Sequence, residues 1–546
     1  MIRSGRASMK LFLAVISGIL FGLSFPPFES GILAAAAFVP LLILLDYVGD
    51  YRETFLYAYV TFFVANCIAV YWAGGFTHGK DVYLMVAGTM LLIAHPVFFC
   101  IPIVLWMVVR RHFGIKPALI AFPFFWVAFE YFHASGQLSF PWLTLGNSQT
   151  YDLAAIQFAS YTGVYGISFW LLWLNVLLFL LYAKLSSGAW NVGASKPVIA
   201  IGGIILLYLL PKFYGGYALQ HQRFDSGEPI RVGVVQPDID PFEKWGRGTE
   251  PQISILQSLT RQASADTCDL ILWPETAITF PILLPAYDPY LARIRGQIDS
   301  LRVPLLTGLA DLEYYRKGEE APKSSKTSVD GDRYDTYNSS ILLTPGTREV
   351  QKYAKMELVP FAERVPFSEE LSFLNVMQWN FGMGGWGVGK EATVFHLTRA
   401  NGSATGFSNM ICYESVFPGF VASFVRNGAQ FLTVITNDSW WGNTSGAYQH
   451  KQFAVLRAVE NRRWVIQCAN GGISCFIDPF GHILHSTAMY ERVTAVESIR
   501  PQTGLTFYSA HGDWLAEICL VISAFFLTAA AGRKFYIRIR RQQTDD

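Results

Sequence analysis

The stretch Asn409-Met-Ile-Cys-Tyr-Glu414 places a thiol, Cys412, directly after a short apolar run. It belongs to a polar block, residues 214–512, that stands between two groups of long apolar segments. Apolar runs of about 20 residues can cross the roughly 30 Å hydrocarbon layer of a bilayer, whereas the block between them has the mixed character of an enzyme domain. The sequence therefore predicts a reactive cysteine in a domain at a membrane surface.

The composition of the whole chain agrees with a membrane protein. Of 546 residues, 52% are hydrophobic and only 15% are charged, against about 25% charged in ordinary soluble domains. The net charge of +1 argues against a nucleic-acid partner, which would be bound through many phosphate contacts. The seven cysteines form no CxxC pair, and the histidines, His450 among them, lack HExxH spacing. We therefore expect no disulfide framework, no metal and no cofactor.

Eight apolar runs are candidates for membrane spans, and lipid would make them helical because it offers the backbone no other partner. They lie near residues 11–25, 31–48, 54–74, 83–109, 117–132, 163–184, 197–211 and 514–532. The first run could instead be a signal peptide, since basic residues precede it. However, Leu23-Ser-Phe-Pro-Pro27 offers no small-residue cleavage pattern, so an uncleaved helix is predicted.

Lysine and arginine are unevenly distributed between the short loops, and cytoplasmic loops are enriched in them. If the N-terminus is cytoplasmic, the short outer loops hold only Lys80. The inner set is then Arg3, Arg6, Lys10, Arg52, Arg110, Arg111, Lys116, Lys184, Lys196, Arg533, Lys534, Arg538, Arg540 and Arg541. This predicts a bundle of seven transmembrane helices over 1–213, an exported domain over 214–512, and a C-terminal helix with a basic cytoplasmic tail over 513–546.

The exported block has the pattern of an α/β domain. Short apolar, β-branched runs predict buried strands, for example at Ile230–Gln236, Leu270–Trp273, Ser340–Leu343, Phe431–Ile435 and Trp464–Cys468. Helical stretches are predicted between them, at Pro251–Ala265 and Gln449–Asn461.

Three polar residues stand at or near the ends of strand-like runs: Glu275, Lys355 and Cys412. A carboxylate that removes a thiol proton and an ammonium that stabilises an oxyanion would make an acyl-transfer site. From the residue types alone the structural alternative is favoured, with a small core cysteine, a turn carboxylate and a solvated lysine. Spacing does not show whether the three converge.

The residues that flank these three favour the catalytic interpretation instead. Ile271-Leu-Trp-Pro-Glu-Thr276, Tyr353-Ala-Lys355, Leu358-Val-Pro-Phe-Ala-Glu363 and Cys412-Tyr-Glu414 resemble the Glu/Lys/Cys signature of the nitrilase (carbon-nitrogen hydrolase) superfamily. Their membrane setting resembles one branch of it, the apolipoprotein N-acyltransferase family. The similarity extends to Phe21–Phe28, Phe140–Leu143, Thr436–Trp440 and Gln449-His450, so it covers nearly the whole chain.

The resemblance implies an αββα sandwich for the exported domain and a two-step acyl transfer. Cys412 would take an acyl chain from a phospholipid, typically phosphatidylethanolamine, as a thioester. The amine of a diacylglyceryl-cysteine at a lipoprotein N-terminus would then accept it. The family's pattern implies that Glu275 is the general base and Lys355 the oxyanion stabiliser. Supporting roles are implied for Trp245, Glu363, Tyr413 and Glu414.

The resemblance further implies a monomer in the bacterial inner membrane, with the catalytic domain on the periplasmic side. A membrane-tethered amidase, in which water resolves the acyl-enzyme, is the main alternative. A transporter or lipid-binding protein is a second, but it leaves the Glu/Lys/Cys set without a purpose. The chain departs from the family at Met356-Glu357 and at Ala362, which puts loop detail in doubt more than reaction type.

Two further features of the sequence stay open. Glu130 lies in an apolar run, where carboxylates are costly and often functional, although near a helix end it could reach interfacial water. Trp72, Trp142 and Trp514 are expected to be anchors at the membrane interface. Trp440 and Trp441, with Trp245, could cover lipid tails in the exported domain.

Overall fold

The computed structural model describes residues 2–76, 82–190, 195–224, 227–246, 248–316, 318–371, 373, 385–399 and 402–545. Its α-helices are α1 (Ile2–Leu23), α2 (Val39–Asp46), α3 (Tyr51–Ala69), α4 (Val82–Phe113), α5 (Ile115–His133), α6 (Leu153–Ile156), α7 (Ala159–Ser186), α8 (Ser195–His221), α9 (Thr249–Ser264), α10 (Asp288–Leu301), α11 (Pro418–Arg426), α12 (Ser445–Asn461), α13 (Phe507–His511) and α14 (Trp514–Asp545).

Five of the described helices, α4, α5, α7, α8 and α14, are long and apolar enough to cross a membrane. The first two predicted spans correspond to shorter apolar segments, Ala7–Leu23 and Gly31–Asp46. The second of these is broken, because a short 3-10 helix at Gly31–Ala35 precedes the eight residues of α2. Several of the predicted spans are thus confirmed as apolar helices of membrane length, and the number eight stays a prediction.

Helices α1 and α3 run parallel. A Cβ added to Gly18 would lie 2.3 Å from Thr61 O, and one added to Gly22 would lie 3.1 Å from Ala65 O, so the two helices pack closely and advance together. Lys10 Nζ, in the first half of α1, forms an ion pair at 2.9 Å with Glu53, in the first turn of α3. The chain between the two helices, which contains α2, therefore returns to the end of the bundle from which α1 starts.

Basic side chains gather at this same end of the bundle. Arg110, near the end of α4, donates to the backbone oxygens of Val48 and Asp46, both at 2.7 Å, just before α3 begins. The guanidinium of Arg533 lies 5.1 Å from the ring centroid of the last residue of α4. The start of α3, the end of α4 and the second half of α14 thus lie at one end of the bundle, here called the basic end.

The polar domain contacts the opposite end of the bundle. Tyr413 donates to Ser139 O, after α5, at 2.8 Å. Gln449 donates to Pro26 O, after α1, at 2.7 Å and to Ala69 O, at the end of α3, at 2.9 Å. The polar domain and the basic end therefore lie at opposite ends of the bundle.

The strands of this domain are β1 (Ile230–Gln236), β2 (Leu270–Leu272), β3 (Leu305–Tyr314), β4 (Lys326–Thr327), β5 (Arg333–Leu343), β6 (Val350–Ala354), β7 (Phe395–Thr398), β8 (Ala404–Ile411), β9 (Phe431–Thr436), β10 (Val465–Ala469), β11 (Cys475–Ile477), β12 (Ile483–Ser486) and β13 (Val493–Ile499). All five predicted strands and both predicted helices are present, with bounds that differ by a few residues.

The strands form two sheets in the described part of the chain. The first has the order β13-β1-β2-β3-β5-β4, with β6 also paired to β5, and the second has the order β12-β11-β10-β9-β8-β7. The sheets face each other, since β1 contacts β10 and β5 contacts β8, while α9 packs outside the first sheet and α11 and α12 outside the second. This is the predicted αββα sandwich. Each layer buries its apolar residues against the next.

The sandwich sets the location of the predicted catalytic residues. Strand β2 is followed by Glu275, β6 by Lys355 and β8 by Cys412. Strands β8, β9 and β10 are mutually parallel, so the residues after β8 and β9 meet at one edge. Ligand sites in open α/β sheets commonly form at such carboxyl edges.

Candidate active site

Lys355 is shared between two carboxylates in the interior of the domain. Its side chain is 1% exposed, and Nζ lies 2.8 Å from Glu363 Oε1 and 3.4 Å from Glu275 Oε1. Burial alone would lower the pKa of Lys355, but the charges of Glu363 and Glu275 outweigh it and raise the pKa. The structure thus places a permanent positive charge beside both acids, as expected for a group that stabilises an oxyanion.

Asn338, on β5, joins the two acids. Its Nδ2 donates to Glu275 Oε1 at 2.7 Å and to Glu363 Oε1 at 3.1 Å. Glu363 also accepts from Val359 N at 2.8 Å through Oε2, so both of its oxygens are engaged. Among the contacts of the described residues, Glu275 uses only Oε1. Its Oε2 is available to accept a proton, whereas Glu363 is held as a fixed counter-ion.

Cys412 adopts a strained backbone conformation at the end of β8. Its φ is 54°, in the left-handed region that a residue with a Cβ rarely adopts. The chain then enters a short 3-10 helix at Cys412–Val416. Such strain persists only where surrounding contacts impose it, and it is frequent at functional sites.

Glu414 supplies part of that restraint. Its Oε2 accepts from Ile411 N at 2.7 Å, while Oε1 accepts from Tyr353 OH at 2.5 Å and from Met356 N at 2.7 Å. Burial raises the pKa of Glu414 to about 7, although these hydrogen bonds oppose the shift. The carboxylate ties the turn of Cys412 to the segment after Lys355. Because Met356 contributes only its backbone N–H, its departure from the family pattern leaves this bond intact.

The thiol of Cys412 is buried among charged groups. Burial raises its pKa well above the usual range, and the charge of Glu275 raises it further, whereas the charge of Lys355 lowers it. The thiol is therefore protonated at rest, and attack on a carbonyl requires a base to remove the proton at that moment. The charges of both Glu275 and Lys355 thus act on the thiol of Cys412.

A second cluster of buried polar side chains lies around the turn at Cys412. The thiol, the carboxylate of Asp438 and the ring of His450 lie within 4.8 Å of one another. His450 Nδ1 lies 2.8 Å from Asp438 Oδ1, and Nε2 lies 3.0 Å from Cys412 O and 2.9 Å from Ser415 Oγ. Both ring nitrogens have protein partners, so we interpret the group as a hydrogen-bond network rather than a metal site.

The other predicted supporting residues divide into two cases. Tyr413 is buried, donates to Ser139 O, and stacks on Trp142 with ring centroids 6.4 Å apart, so it joins the site to the bundle. Trp245 is half-exposed and lines a cavity of about 300 Å³ with residues that include Thr279 and Trp386. Trp245 thus borders a cavity beside the loop after Glu275.

Lys244 is buried beside Glu275, a contact that the sequence did not predict. Its Nζ donates to Thr276 Oγ1 at 2.6 Å and lies 3.4 Å from Glu275 O. Burial lowers the pKa of Lys244 to about 8, against the opposing charge of Glu275. Asn338, Asp438 and the contact of His450 were likewise not predicted. The only signal for Asn338 is a polar residue before the apolar run of β5.

The structure also shows the surroundings of Glu130 and of two of the three tryptophans. Glu130 Oε1 accepts from Trp126 Nε1 at 2.8 Å and from Leu145 N at 2.7 Å, so the carboxylate holds the loop after α5. Trp72 and Trp142 are 3% and 2% exposed, and both donate to Gln449 Oε1. The prediction that these two tryptophans are interfacial anchors is wrong, because the polar domain covers them.

Known proteins resemble both halves of the chain. The family model described as apolipoprotein N-acyltransferase N-terminal domain matches residues 17–177, and the model described as carbon-nitrogen hydrolase matches residues 231–503. A solved amidase from Nesterenkonia sp. is 19% identical with a TM-score of 0.35, covering 51% of this chain and 93% of that chain.

Relatives named apolipoprotein N-acyltransferase match over nearly full length. The protein from Geobacter metallireducens is 32% identical, covering 96% of this chain and 95% of the relative. The protein from Chlorobaculum tepidum is 37% identical, covering 96% of this chain and 97% of the relative. With both domains matched in order and this identity over its length, the chain belongs to the apolipoprotein N-acyltransferase family.

Proposed function

We propose that this protein transfers an acyl chain from a membrane phospholipid to the N-terminal amine of a diacylated lipoprotein, through a thioester on Cys412. The observation that carries the proposal is the position of the thiol. It is buried beside Glu275 and Lys355, and the next residue, Tyr413, contacts the membrane bundle at Ser139. An acyl-transfer group at the edge of a membrane bundle suits two substrates that are both lipids.

In the first step, Glu275 Oε2 takes the proton from Cys412 Sγ, and the sulfur attacks the ester carbonyl of the phospholipid. Lys355 Nζ stabilises the oxyanion of the tetrahedral intermediate. The ester C–O bond then breaks, and the proton on Glu275 passes to the leaving alcohol. The products are a lysophospholipid and a thioester on Cys412.

In the second step, the amine of the lipoprotein attacks the thioester carbonyl. Glu275 takes a proton from the attacking nitrogen, and Lys355 again faces the oxyanion. The C–S bond breaks, the sulfur regains the proton from Glu275, and the lipoprotein leaves with an amide-linked acyl chain. Phosphatidylethanolamine is the proposed donor, and the proposed active form is a monomer.

We further propose that the protein lies in the inner membrane with its polar domain in the periplasm and both termini in the cytoplasm. The separation of the basic end from the polar domain supports this orientation, since cytoplasmic loops are enriched in lysine and arginine. The parallel course of α1 and α3 supports a return of the chain through residues 31–46. This is consistent with seven crossings before the exported domain and one after it.

The experiment that tests the function is intact-mass analysis of the purified protein after incubation with phospholipid, followed by addition of a diacylated lipopeptide. The wild-type protein should gain one acyl mass and lose it to the lipopeptide amine. Cys412→Ala should gain none. Cys268→Ala, which removes a half-buried thiol elsewhere in the domain, should behave as wild type.

Other results of this experiment would support the alternative functions. An adduct that discharges only to water would identify a membrane-tethered amidase. No adduct in the wild-type protein would leave a lipid-binding or transport function, and a normal adduct in Cys412→Ala would remove this thiol from the mechanism.

A further inference from the structure

Two consecutive residues of α12, Gln449 and His450, contact different parts of the molecule. Gln449 is 1% exposed and uses all the hydrogen-bonding capacity of its amide. Its Oε1 accepts from Trp72 Nε1 at 2.9 Å and Trp142 Nε1 at 2.6 Å, and its Nε2 donates to Pro26 O and Ala69 O. One side chain of the catalytic domain thus joins three separate segments of the bundle.

His450 is fully buried and contacts the nucleophile's backbone instead. Its Nε2 lies 3.0 Å from Cys412 O, a group that only accepts, so Nε2 carries a hydrogen. Its Nδ1 faces the carboxylate of Asp438 at 2.8 Å, so Nδ1 carries a hydrogen as well. The ring is therefore an imidazolium paired with Asp438. Ser415 Oγ, 2.9 Å from the same carbonyl, is a second donor to it.

Cys412 requires such support because its φ of 54° is unfavourable for a residue with a Cβ. Rotation of the backbone at this position would turn the carbonyl away from His450 and move the thiol relative to Glu275 and Lys355. The hydrogen bonds to Cys412 O hold one end of the residue, as Glu414 holds the preceding Ile411 N.

We propose that Gln449 and His450 are positioning residues that fix Cys412 relative to the membrane, His450 by holding the cysteine in its strained conformation and Gln449 by holding α12 on the bundle. The two residues are adjacent on one buried helix, so the location of the thiol and the packing of the bundle are linked through a single peptide bond. The proposal rests on the proposed role of Cys412 as nucleophile.

Two reactions of Cys412 distinguish the proposed role of His450 from that of Gln449. Alkylation of Cys412 by iodoacetamide needs no lipid, whereas acylation by phospholipid vesicles needs the thiol in its place at the membrane. Alkylation at Cys412 is followed by peptide mass analysis and acylation by intact mass. If the wild-type protein forms no adduct, the proposed function fails, while the alkylation series still tests His450.

His450→Asn keeps a polar atom near Asp438 but loses the donor to Cys412 O, whereas His450→Gln can place its amide N–H where Nε2 was. Alkylation should slow about ten- to a hundredfold in His450→Asn, because a displacement on the order of 1 Å can cost a hundredfold. His450→Gln should recover most of that loss. Ser415→Ala removes the other donor to Cys412 O and should slow alkylation to a smaller degree. This variant tests the proposal if His450→Asn does not fold.

Gln449→Met should slow acylation by phospholipid vesicles about tenfold while alkylation stays within about twofold of wild type. Lys451→Met, at the next half-buried position of α12, is the matched control and should change neither rate. Alkylation at the wild-type rate in His450→Asn, no difference between the Asn and Gln variants, or equal slowing of both reactions in Gln449→Met would overturn the proposal.

Discussion

At the scale of single residues, the two acids of the site, Glu275 and Glu363, differ in the hydrogen bonds they make. Both oxygens of Glu363 are engaged, by Lys355 and Asn338 on one side and by Val359 N on the other. Glu275 uses a single oxygen for the same two partners. A base must have a free lone pair near the proton it removes, so this difference supports Glu275 over Glu363 as the proposed base.

Substitution of Glu275 or Lys355 tests these roles. Glu275→Gln keeps the shape but loses the base, and Lys355→Met keeps most of the stem but loses the charge. Each should lower the single-turnover rate of acyl-adduct formation by about a hundredfold or more. Lys352→Met, on strand β6 just before Lys355 but 30% exposed and paired with Asp311, should stay within about threefold. Wild-type rates in the first two variants would make both residues structural.

Lys244 gives a prediction about pH. Its pKa is lowered to about 8 in the folded protein, against about 10.4 in an unfolded chain. The unfolded chain binds this proton more tightly, so the contribution of Lys244 to the free energy of unfolding rises with pH between these values and is lost as pH falls through 8. Lys244→Met removes the titration. The Tm of the variant minus that of wild type should therefore decrease from pH 8 to pH 10, and a difference that grows would contradict the assignment.

At the scale of secondary structure elements, the loop after β2 is held by close approach of the neighbouring strand. A Cβ on Gly308, in β3, would lie 2.6 Å from Pro274 O and 2.8 Å from Glu275 Cα. These are backbone atoms, which cannot turn aside as a flexible side chain can. The absence of a side chain at this one position of β3 thus allows the loop to carry Glu275 toward Lys355.

Gly308→Ala should displace Glu275 and slow acyl-adduct formation at least about tenfold, since a shift on the order of 1 Å can cost a hundredfold. Gly296→Ala makes the same change in the exposed face of α10, where a Cβ meets nothing within 4 Å. It should raise the free energy of unfolding by about 0.5–1 kcal/mol without altering the rate. Equal rates for the two variants in single-turnover assays would show that the close approach is not required.

At the scale of the whole molecule, the polar domain and the basic end lie at opposite ends of the bundle. This arrangement predicts which parts of the chain can be labelled from outside the cell. In the parent protein for labelling, the exposed Cys67 is replaced by alanine. Val329→Cys, at a fully exposed position of the polar domain, and Gln543→Cys, in the exposed tail, are then compared. A membrane-impermeant thiol reagent added to intact spheroplasts should modify position 329 and not 543, because of the inside enrichment of basic residues.

After lysis, both positions should be labelled, which confirms that each thiol is accessible in the folded protein. Protection of position 329 together with labelling of 543 in intact cells would reverse the orientation. The polar domain would then be cytoplasmic, and the proposed lipoprotein acceptor could not reach it.

The sequence alone indicated five of the strands, two of the helices between them and several of the long apolar helices. Strands such as β1 and β9 are short runs rich in valine, isoleucine and other buried residues, a pattern typical of strands. The long apolar helices follow in the same way, because hydrocarbon leaves the backbone no other partner. The motifs around Glu275, Lys355 and Cys412 indicated the chemistry through their resemblance to a known family.

Only the tertiary structure decided which residues surround these three. Asn338 and His450 come from β5 and α12, far from Cys412 in the chain, and their contacts depend on how two sheets and a helix pack. The same holds for Trp72 and Trp142. They were expected at the lipid interface, but the polar domain covers them and both donate to Gln449. Local patterns reflect how each segment buries its own apolar face, whereas a buried polar group is satisfied by whatever partner the fold brings to it.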